Sequence, residues 1–149
     1  MYIANKNDFD AVWKLFQENK KWFPHVWNTK IKKRIENRQV VFENNVVITF
    51  SIYKRNNKIG GLTALKNDCI LHQIVKGKDG NARKTIEDFF AYVNTNVYLT
   101  VREDNTIANK FYDKIGMKQV GTISWAKGKM PGLIWKKKIP SGTLEEFIT

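Results

Sequence analysis

The sequence predicts one α/β domain over residues 1–149, built on a mixed, mostly antiparallel central sheet with helices on both faces. Three observations carry this expectation. The periodic segments run strand, two helices, four strands, helix, strand, helix, two strands, so an antiparallel run is followed by strands alternating with helices. The length of 149 residues is close to the ~150 of one average domain. Hydrophobic residues make up 42% and charged residues 27% of the chain, enough to build a core and too apolar for a disordered protein.

Residues 1–4 are short and apolar and read as the first strand. Asn7 or Asp8 then opens a helix in which Phe9, Val12, Trp13 and Phe16 recur at three- and four-residue spacing. Pro24 restricts Phe23 to extended backbone and breaks the pattern, after which Asn28 or Thr29 caps a short, very basic helix through residues 31–38. From Gln39 the period changes to two. Residues 39–43 and 46–54 read as a hairpin with Asn44 and Asn45 at left-handed turn positions, and residues 59–66 and 69–76 as a second hairpin about a Lys66-Asn67-Asp68 turn.

Residues 77–80 interrupt the sheet, and a helix beginning near Asn81 or Ala82 presents Ile86, Phe89, Phe90 and Val93 on one apolar face. Residues 97–101 have the composition of a fully buried strand. The next helix carries Ile107, Ala108, Phe111, Tyr112 and Ile115 on its inner side and ends with Gly116 just beyond its last turn. Residues 117–125 and 133–139 close the chain as strands joined by a loop containing Gly and Pro.

Lys and Arg outnumber Asp and Glu by 26 to 14, a net charge of +12 that bears on partners and not on fold. Cys69 stands alone and forms no intrachain disulfide, and one Cys with two His cannot complete a four-ligand structural zinc site, so no metal is expected. A reducing cytoplasm suits such a chain. The longest apolar run, around Val46, Val47 and Ile48, falls far short of the ~20 residues that span a bilayer. The first ten residues have no apolar stretch of signal-peptide length, so neither export nor a membrane partner is expected.

Two strand-to-helix junctions matter most, because ligands collect where helix N-termini meet the carboxyl ends of strands. In the first, a strand ending at Val75 runs through Gly77 and Gly80 into a helix, so the backbone amides of a small-residue loop are expected to face outward as a phosphate cradle. The second reads VREDNTIANKFYDKIGMKQVG. It resembles the second conserved motif of the GCN5-related N-acetyltransferases (GNAT), whose usual form is a strand followed by N-x-x-A-x-x-F-Y-x-x-x-G-F. Asn105, Ala108, Phe111, Tyr112 and Gly116 match it, with Met117 in place of the last Phe. The strand-loop-helix before it resembles that family's acetyl-CoA motif, Q/R-x-x-G-x-G/A, in Gly80-x-Ala82, while Gly77 stands where Gln or Arg is usual. The opening residues resemble the family's first strand and helix. The likeness covers most of the chain, strongly from Leu71 to Gly121, with one strand at residues 60–66 extra to the pattern.

The resemblance implies an acetyltransferase-type sheet in which the strand ending at Val75 and the strand 97–101 are parallel neighbours that splay apart. It implies an enzyme moving an acetyl group from acetyl-CoA to a primary amine. Ile74 and Val75 would offer backbone groups to the pantetheine arm, Gly77, Gly80, Asn81 and Ala82 would hold the pyrophosphate, and Asn105 would position the cofactor. Tyr112 would be the general acid that protonates the leaving thiolate. The base is left open among His72, Glu43, Glu103 and a water-mediated route; His72 shares a strand face with Ile74 and has an unperturbed pKa of about 6.5.

The basic excess concentrates at Lys30, Lys32, Lys33, Arg34 and Arg38, just after Trp22, Phe23, His25 and Trp27. In the resembled family this region borders the acceptor groove. Rings beside cations also suit nucleic acid, so Lys32, Lys33, Arg34 and Trp27 form a candidate substrate or nucleic-acid surface. Two alternatives to an amine acetyltransferase follow: a DNA base-modifying enzyme similar to the phage Mom type, or a basic nucleic-acid-binding protein that retains the fold. Asn105 and Tyr112 favour an enzyme over a bare binder.

Overall fold

The computed structural model describes residues 1–139. Four helices are present among them: α1 (Phe9–Glu18), α2 (Asn28–Glu36), α3 (Ala82–Val93) and α4 (Thr106–Lys114). The strands are β1 (Val40–Glu43), β2 (Val46–Ile52), β3 (Asn57–Ile59), β4 (Leu62–Ala64), β5 (Cys69–Lys76), β6 (Val97–Arg102), β7 (Lys118–Trp125) and β8 (Met130–Lys137). Six of them form one sheet in the order β1-β2-β5-β6-β8-β7. It is mainly antiparallel, with β5 and β6 as its parallel pair. The parallel register joins Cys69 to Val97 and Ile70 to Tyr98, both at the amino ends of their strands. This is the mixed sheet that the element order predicts, with the strands of the two junctions as the parallel neighbours that the resemblance implies. The chain divides into two compact units, Met1–Ser51 with Leu71–Phe89, and Ile52–Ile70 with Phe90 onward.

In the first unit, Val12, Leu15 and Phe16 of α1 and Ile31 and Ile35 of α2 pack with Val40, Val47 and Val75 into one buried cluster. Each such side chain contributes about 1.5–3 kcal/mol by leaving water. The Phe16 and Phe23 rings meet edge to face at 5.7 Å. Asn44 and Asn45 both sit at φ 55°, the left-handed pair that a two-residue turn between β1 and β2 requires.

Three expectations are corrected in this unit. Residues 1–4 are not a strand: Ile3 makes a single antiparallel bridge to Val41, because the chain turns at Asn5 into a capping box with Asp8 that starts a 3-10 turn over Lys6–Asp8. The capping side chain is thus Asn5, and Asp8 precedes α1 without a capping bond. Asn28 and Thr29 lie inside α2, whose N-cap position is Trp27, a residue with no side chain able to cap.

In the second unit, Ile59, Ala64, Tyr98 and Ile134 form a buried cluster. Residues 62–64 pair with β3 in a separate two-stranded sheet, and not with residues 69–76 as expected. Gly60, at φ +56°, closes that ribbon locally, while Asp68 turns its carboxylate back to the Leu65 N–H at 2.9 Å instead of closing a hairpin with the next strand. Ile115, the C-cap residue of α4, is buried, and Gly116 at φ +90° takes the left-handed position after the helix. Ile107 is 78% exposed, contrary to the expected inner face, because the inward contact from this end of α4 is polar: Asn109 accepts from the Trp135 indole N–H at 2.9 Å. Pro131 lies within β8 opposite Ser124, not in the preceding loop.

Candidate active site

β5 ends at Lys76, and the turn into α3 is clasped by the tip of the β1-β2 hairpin. The Gly77 N–H donates to the Asn45 carbonyl at 2.9 Å, the Gly80 N–H to the Gly77 carbonyl at 3.0 Å, and the Asn81 N–H to the Asn44 carbonyl at 3.1 Å. In return Asn45 Nδ2 donates to the Lys78 carbonyl at 2.7 Å and Asn44 Nδ2 to Thr85 Oγ1 at 3.1 Å. The expected cradle of Gly77, Gly80 and Asn81 amides is therefore corrected, since these donors are satisfied inside the protein. Asn81 instead caps α3 through Oδ1, which accepts from the Lys84 N–H at 3.1 Å. Open to an anion are the Ala82 and Arg83 amides at the positive end of α3, which no described residue accepts, and the exposed side chains of Lys76, Lys78 and Arg83.

Further back on β5, Val75 is buried in the core and Ile74 is half-buried. His72 Nε2 lies 2.9 Å from Ser51 Oγ. Ser51 also accepts from Arg34 Nη1 at 3.2 Å, and the same Nη1 reaches Gln39 Oε1 at 3.4 Å. Burial first, and then the charges of Arg34 and Lys30, push the His72 imidazole down to about 4, so the ring is neutral at neutral pH. Arg34 is half-buried beside this pair and does not share an exposed face with Lys32 and Lys33, which corrects its place in the basic surface. Lys32 and Lys33 are exposed, with Lys32 Nζ 4.8 Å from the Phe9 ring centre, and Trp27 is 69% exposed.

In the second unit, Asn105 occupies the N-cap of α4, its Oδ1 accepting from the Ala108 N–H at 3.2 Å. Asn109 Nδ2 donates to the Arg102 and Glu103 carbonyls, each at 3.2 Å, and so ties the end of β6 to the helix. The Tyr112 ring packs edge-on to Phe111 at 5.7 Å and tilted to Trp135 at 6.3 Å. Burial pushes its phenol up to about 12, so it keeps its proton at any physiological pH.

No protein-family model and no curated protein sequence matches the chain. Solved structures do. A GNAT-family acetyltransferase from Bacillus cereus aligns with TM-score 0.69 at 15% identity, covering 93% of this chain and 96% of that one. The ribosomal-protein-S18-alanine N-acetyltransferase of Escherichia coli aligns with TM-score 0.64 at 12% identity, covering 96% of each chain. The structure of yncA from Salmonella typhimurium with its cofactor acetyl-CoA aligns with TM-score 0.68 at 11% identity, covering 95% of this chain and 94% of that one. The chain has the fold of the GNAT acetyltransferases.

Placed on the GNAT fold, the polar groups fall into two sets of different character. The first unit holds a helix N-terminus flanked by cations, and a chain of Arg34, Ser51 and His72. The second holds a protonated phenol on a helix whose start is pinned by Asn105 and Asn109. Ser51 and Asn109 were not singled out by sequence, because each is one polar residue within a strand or helix pattern and belongs to no spacing motif. Among the described residues no group of three or more His, Cys, Asp or Glu could hold a metal ion, and no helix is long and apolar enough to cross a membrane.

Proposed function

We propose that the chain is an acyl-CoA-dependent N-acyltransferase that moves an acetyl group from acetyl-CoA to a primary amine. The observation that carries this reading is Tyr112, a phenol held protonated on α4, at the position the GNAT-like motif gives to the proton donor, in a chain with the GNAT fold. Bound acetyl-CoA would supply the activated acyl group and a sulfur leaving group. The residues of the first unit suited to its phosphates are the Ala82 and Arg83 amides with Lys76, Lys78 and Arg83, and not the Gly77, Gly80 and Asn81 amides, which are satisfied inside the protein. Asn105, having given its side-chain oxygen to the Ala108 N–H, serves by fixing the first turn of α4.

Tyr112 delivers its proton to the sulfur as the C–S bond breaks. A phenol at about 12 is a weak acid, so its value lies in position: the ring is fixed between Phe111 and Trp135 before the reaction begins. The amine's proton takes a different route. Passing it from an alkylammonium, with a pKa of about 10.4, to an imidazole near 4 is uphill by roughly six units, or about 8 kcal/mol. His72 is therefore not the direct base, and the proton leaves through water.

The test is a thermal shift with acetyl-CoA. A ligand at about a hundredfold excess over Kd stabilises the folded state by about 2.7 kcal/mol. At about 2–4 °C per kcal/mol for a chain of this size, Tm should rise by roughly 5–10 °C. Exchanging Lys76, Lys78 and Arg83 together for Ala should remove most of the rise. No shift for the wild-type protein with millimolar acetyl-CoA would overturn the reading.

A further inference from the structure

Arg34 presents a charge that nothing in the described structure balances. It leaves the last turn of α2 half-buried, and its two hydrogen bonds both use Nη1, to the neutral oxygens of Ser51 and Gln39. Nε is wholly removed from solvent and has no partner. The ion pairs among described residues join other side chains, all of them exposed: Arg83 with Glu87, Lys84 with Asp88 and Arg102 with Asp104. Buried charges are ordinarily paired, and a buried donor without an acceptor is costly. The neighbouring groups do not supply the missing charge. Ser51 is neutral, the His72 ring is held uncharged, and Lys30 adds a further positive charge acting on the same ring.

We propose that Arg34, with the Ser51–His72 pair beside it, binds a carboxylate, and that this carboxylate belongs to the amine acceptor. The Nε and Nη2 edge of a guanidinium is a planar fork that accepts two carboxylate oxygens side by side, and here that edge is the one without partners. Turning it toward a ligand disturbs the two contacts of Nη1, of which the one to Gln39, at 3.4 Å, is long for a hydrogen bond. A carboxylate fits better than phosphate, because one fork matches one planar monoanion, whereas a phosphate dianion calls for further close donors. The assignment to the acceptor rests on the acyltransferase reading. His72 precedes Ile74 by two residues on the same face of β5, a rise of about 7 Å along the strand, and Ile74 and Val75 are the residues assigned to the pantetheine arm. The acceptor is then a small amine that carries its own acid group.

The first test is binding without acetyl-CoA. Glutarate, its uncharged counterpart glutaramide, and inorganic phosphate are titrated into isotope-labelled protein while the Arg34 Nε–H and His72 ring resonances are followed. Saturable shifts with glutarate, absent with glutaramide and weakened tenfold or more in Arg34→Gln, support the site. Arg34→Lys, which keeps the charge and loses the fork, should also weaken binding and covers the case in which Arg34→Gln fails to fold. Equal responses to glutarate and glutaramide, no response, or tighter binding of phosphate would overturn it. The second test compares acetyl transfer to β-alanine and to β-alaninamide. Arg34→Gln should raise KM for β-alanine roughly tenfold or more and raise KM for β-alaninamide by a clearly smaller factor. Glutarate binding with no transfer to any amine would remove the acyltransferase reading alone. Transfer to both amines with equal KM and no glutarate binding would remove the carboxylate site alone.

Discussion

Gly77→Ala separates a packing role for this glycine from a ligand-binding one. Gly77 has no left-handed φ, so alanine meets no backbone strain there; what it meets is crowding. A Cβ would stand 2.7 Å from Leu15 Cδ2 and 2.8 Å from Asn45 Cγ, and closer still to the Asn45 amide nitrogen. Leu15 belongs to the buried cluster of the first unit, and the Asn45 amide nitrogen is already held at 2.7 Å by the Lys78 carbonyl. Admitting the methyl group moves one or both. Displacing Asn45 forfeits a hydrogen bond with a net contribution of about 0.5–1.5 kcal/mol. Forcing a methyl group against a packed leucine costs about 1–3 kcal/mol. Against this, alanine restricts the unfolded chain and returns about 0.4–1 kcal/mol. The balance is a loss of about 2 kcal/mol, which lowers Tm by about 4–8 °C. Urea unfolding of the free protein reads it directly. Asn45→Gly, which tolerates the φ of 55°, removes the obstructing side chain, so the double variant should be more stable than the two single losses predict by about 1 kcal/mol. A Gly77→Ala protein as stable as wild type, or a strictly additive double variant, would refute the reasoning. Unchanged stability with lost acetyl-CoA binding would return Gly77 to the ligand.

Two further outcomes are expected. Tyr112→Phe keeps the ring between Phe111 and Trp135 and deletes only the hydroxyl, so acetyl-CoA affinity and Tm should hold while turnover falls about 10²–10⁴-fold, the range for losing a general acid; full steady-state activity in this variant would make Tyr112 a packing residue only. For His72 the folded pKa of about 4 lies below the ordinary value of 6.5. Above pH 6.5 the ring is neutral whether folded or unfolded and adds no pH dependence, but as pH falls the unfolded chain takes up the proton first, so stability drops between 6.5 and about 4 and levels off below. The difference between wild type and His72→Gln in urea unfolding across this window should show that slope; parallel curves would refute it.

Local features of the fold were legible wherever a residue has few alternatives. Asn44-Asn45 between two alternating runs fixes a two-residue turn, and Gly116 after a helical stripe fixes an end. The spacing from Asn105 to Gly116 places a capped helix after a buried strand. What failed depends on partners distant in sequence. Residues 62–64 have the composition of a strand, but whether they pair forward or backward is decided by Gly60, and alternation alone is silent on it. The amides of Gly77 and Asn81 looked free because their acceptors, the carbonyls of Asn45 and Asn44, lie more than thirty residues away, and the Gly80 amide closes a local turn onto the Gly77 carbonyl. Arg34 was hidden in a charge run. The helical period held the clue, since Arg34 is three residues from Ile31 and next to Ile35, both buried, which puts it at the margin of the apolar stripe.

Burial acts on Tyr112 and His72 through the same physics and leaves both uncharged. Removing a phenol from water disfavours its anion and raises its pKa, while removing an imidazole disfavours its cation and lowers it. At neutral pH Tyr112 therefore always carries its proton and His72 always lacks one. Neither switches charge over the range in which an amine acceptor titrates. The charge that stays is Arg34, whose pKa burial lowers from a value far above neutral, and which no described carboxylate offsets. The groups of the first unit are suited to holding an anion and poorly suited to taking a proton, while the phenol of the second unit is suited to giving one. If the acceptor brings the carboxylate that balances Arg34, that anion also stabilises the acceptor's own ammonium, so the amine must be freed by solvent before it attacks. That agrees with the water route proposed for the amine's proton, which the low imidazole value also favours.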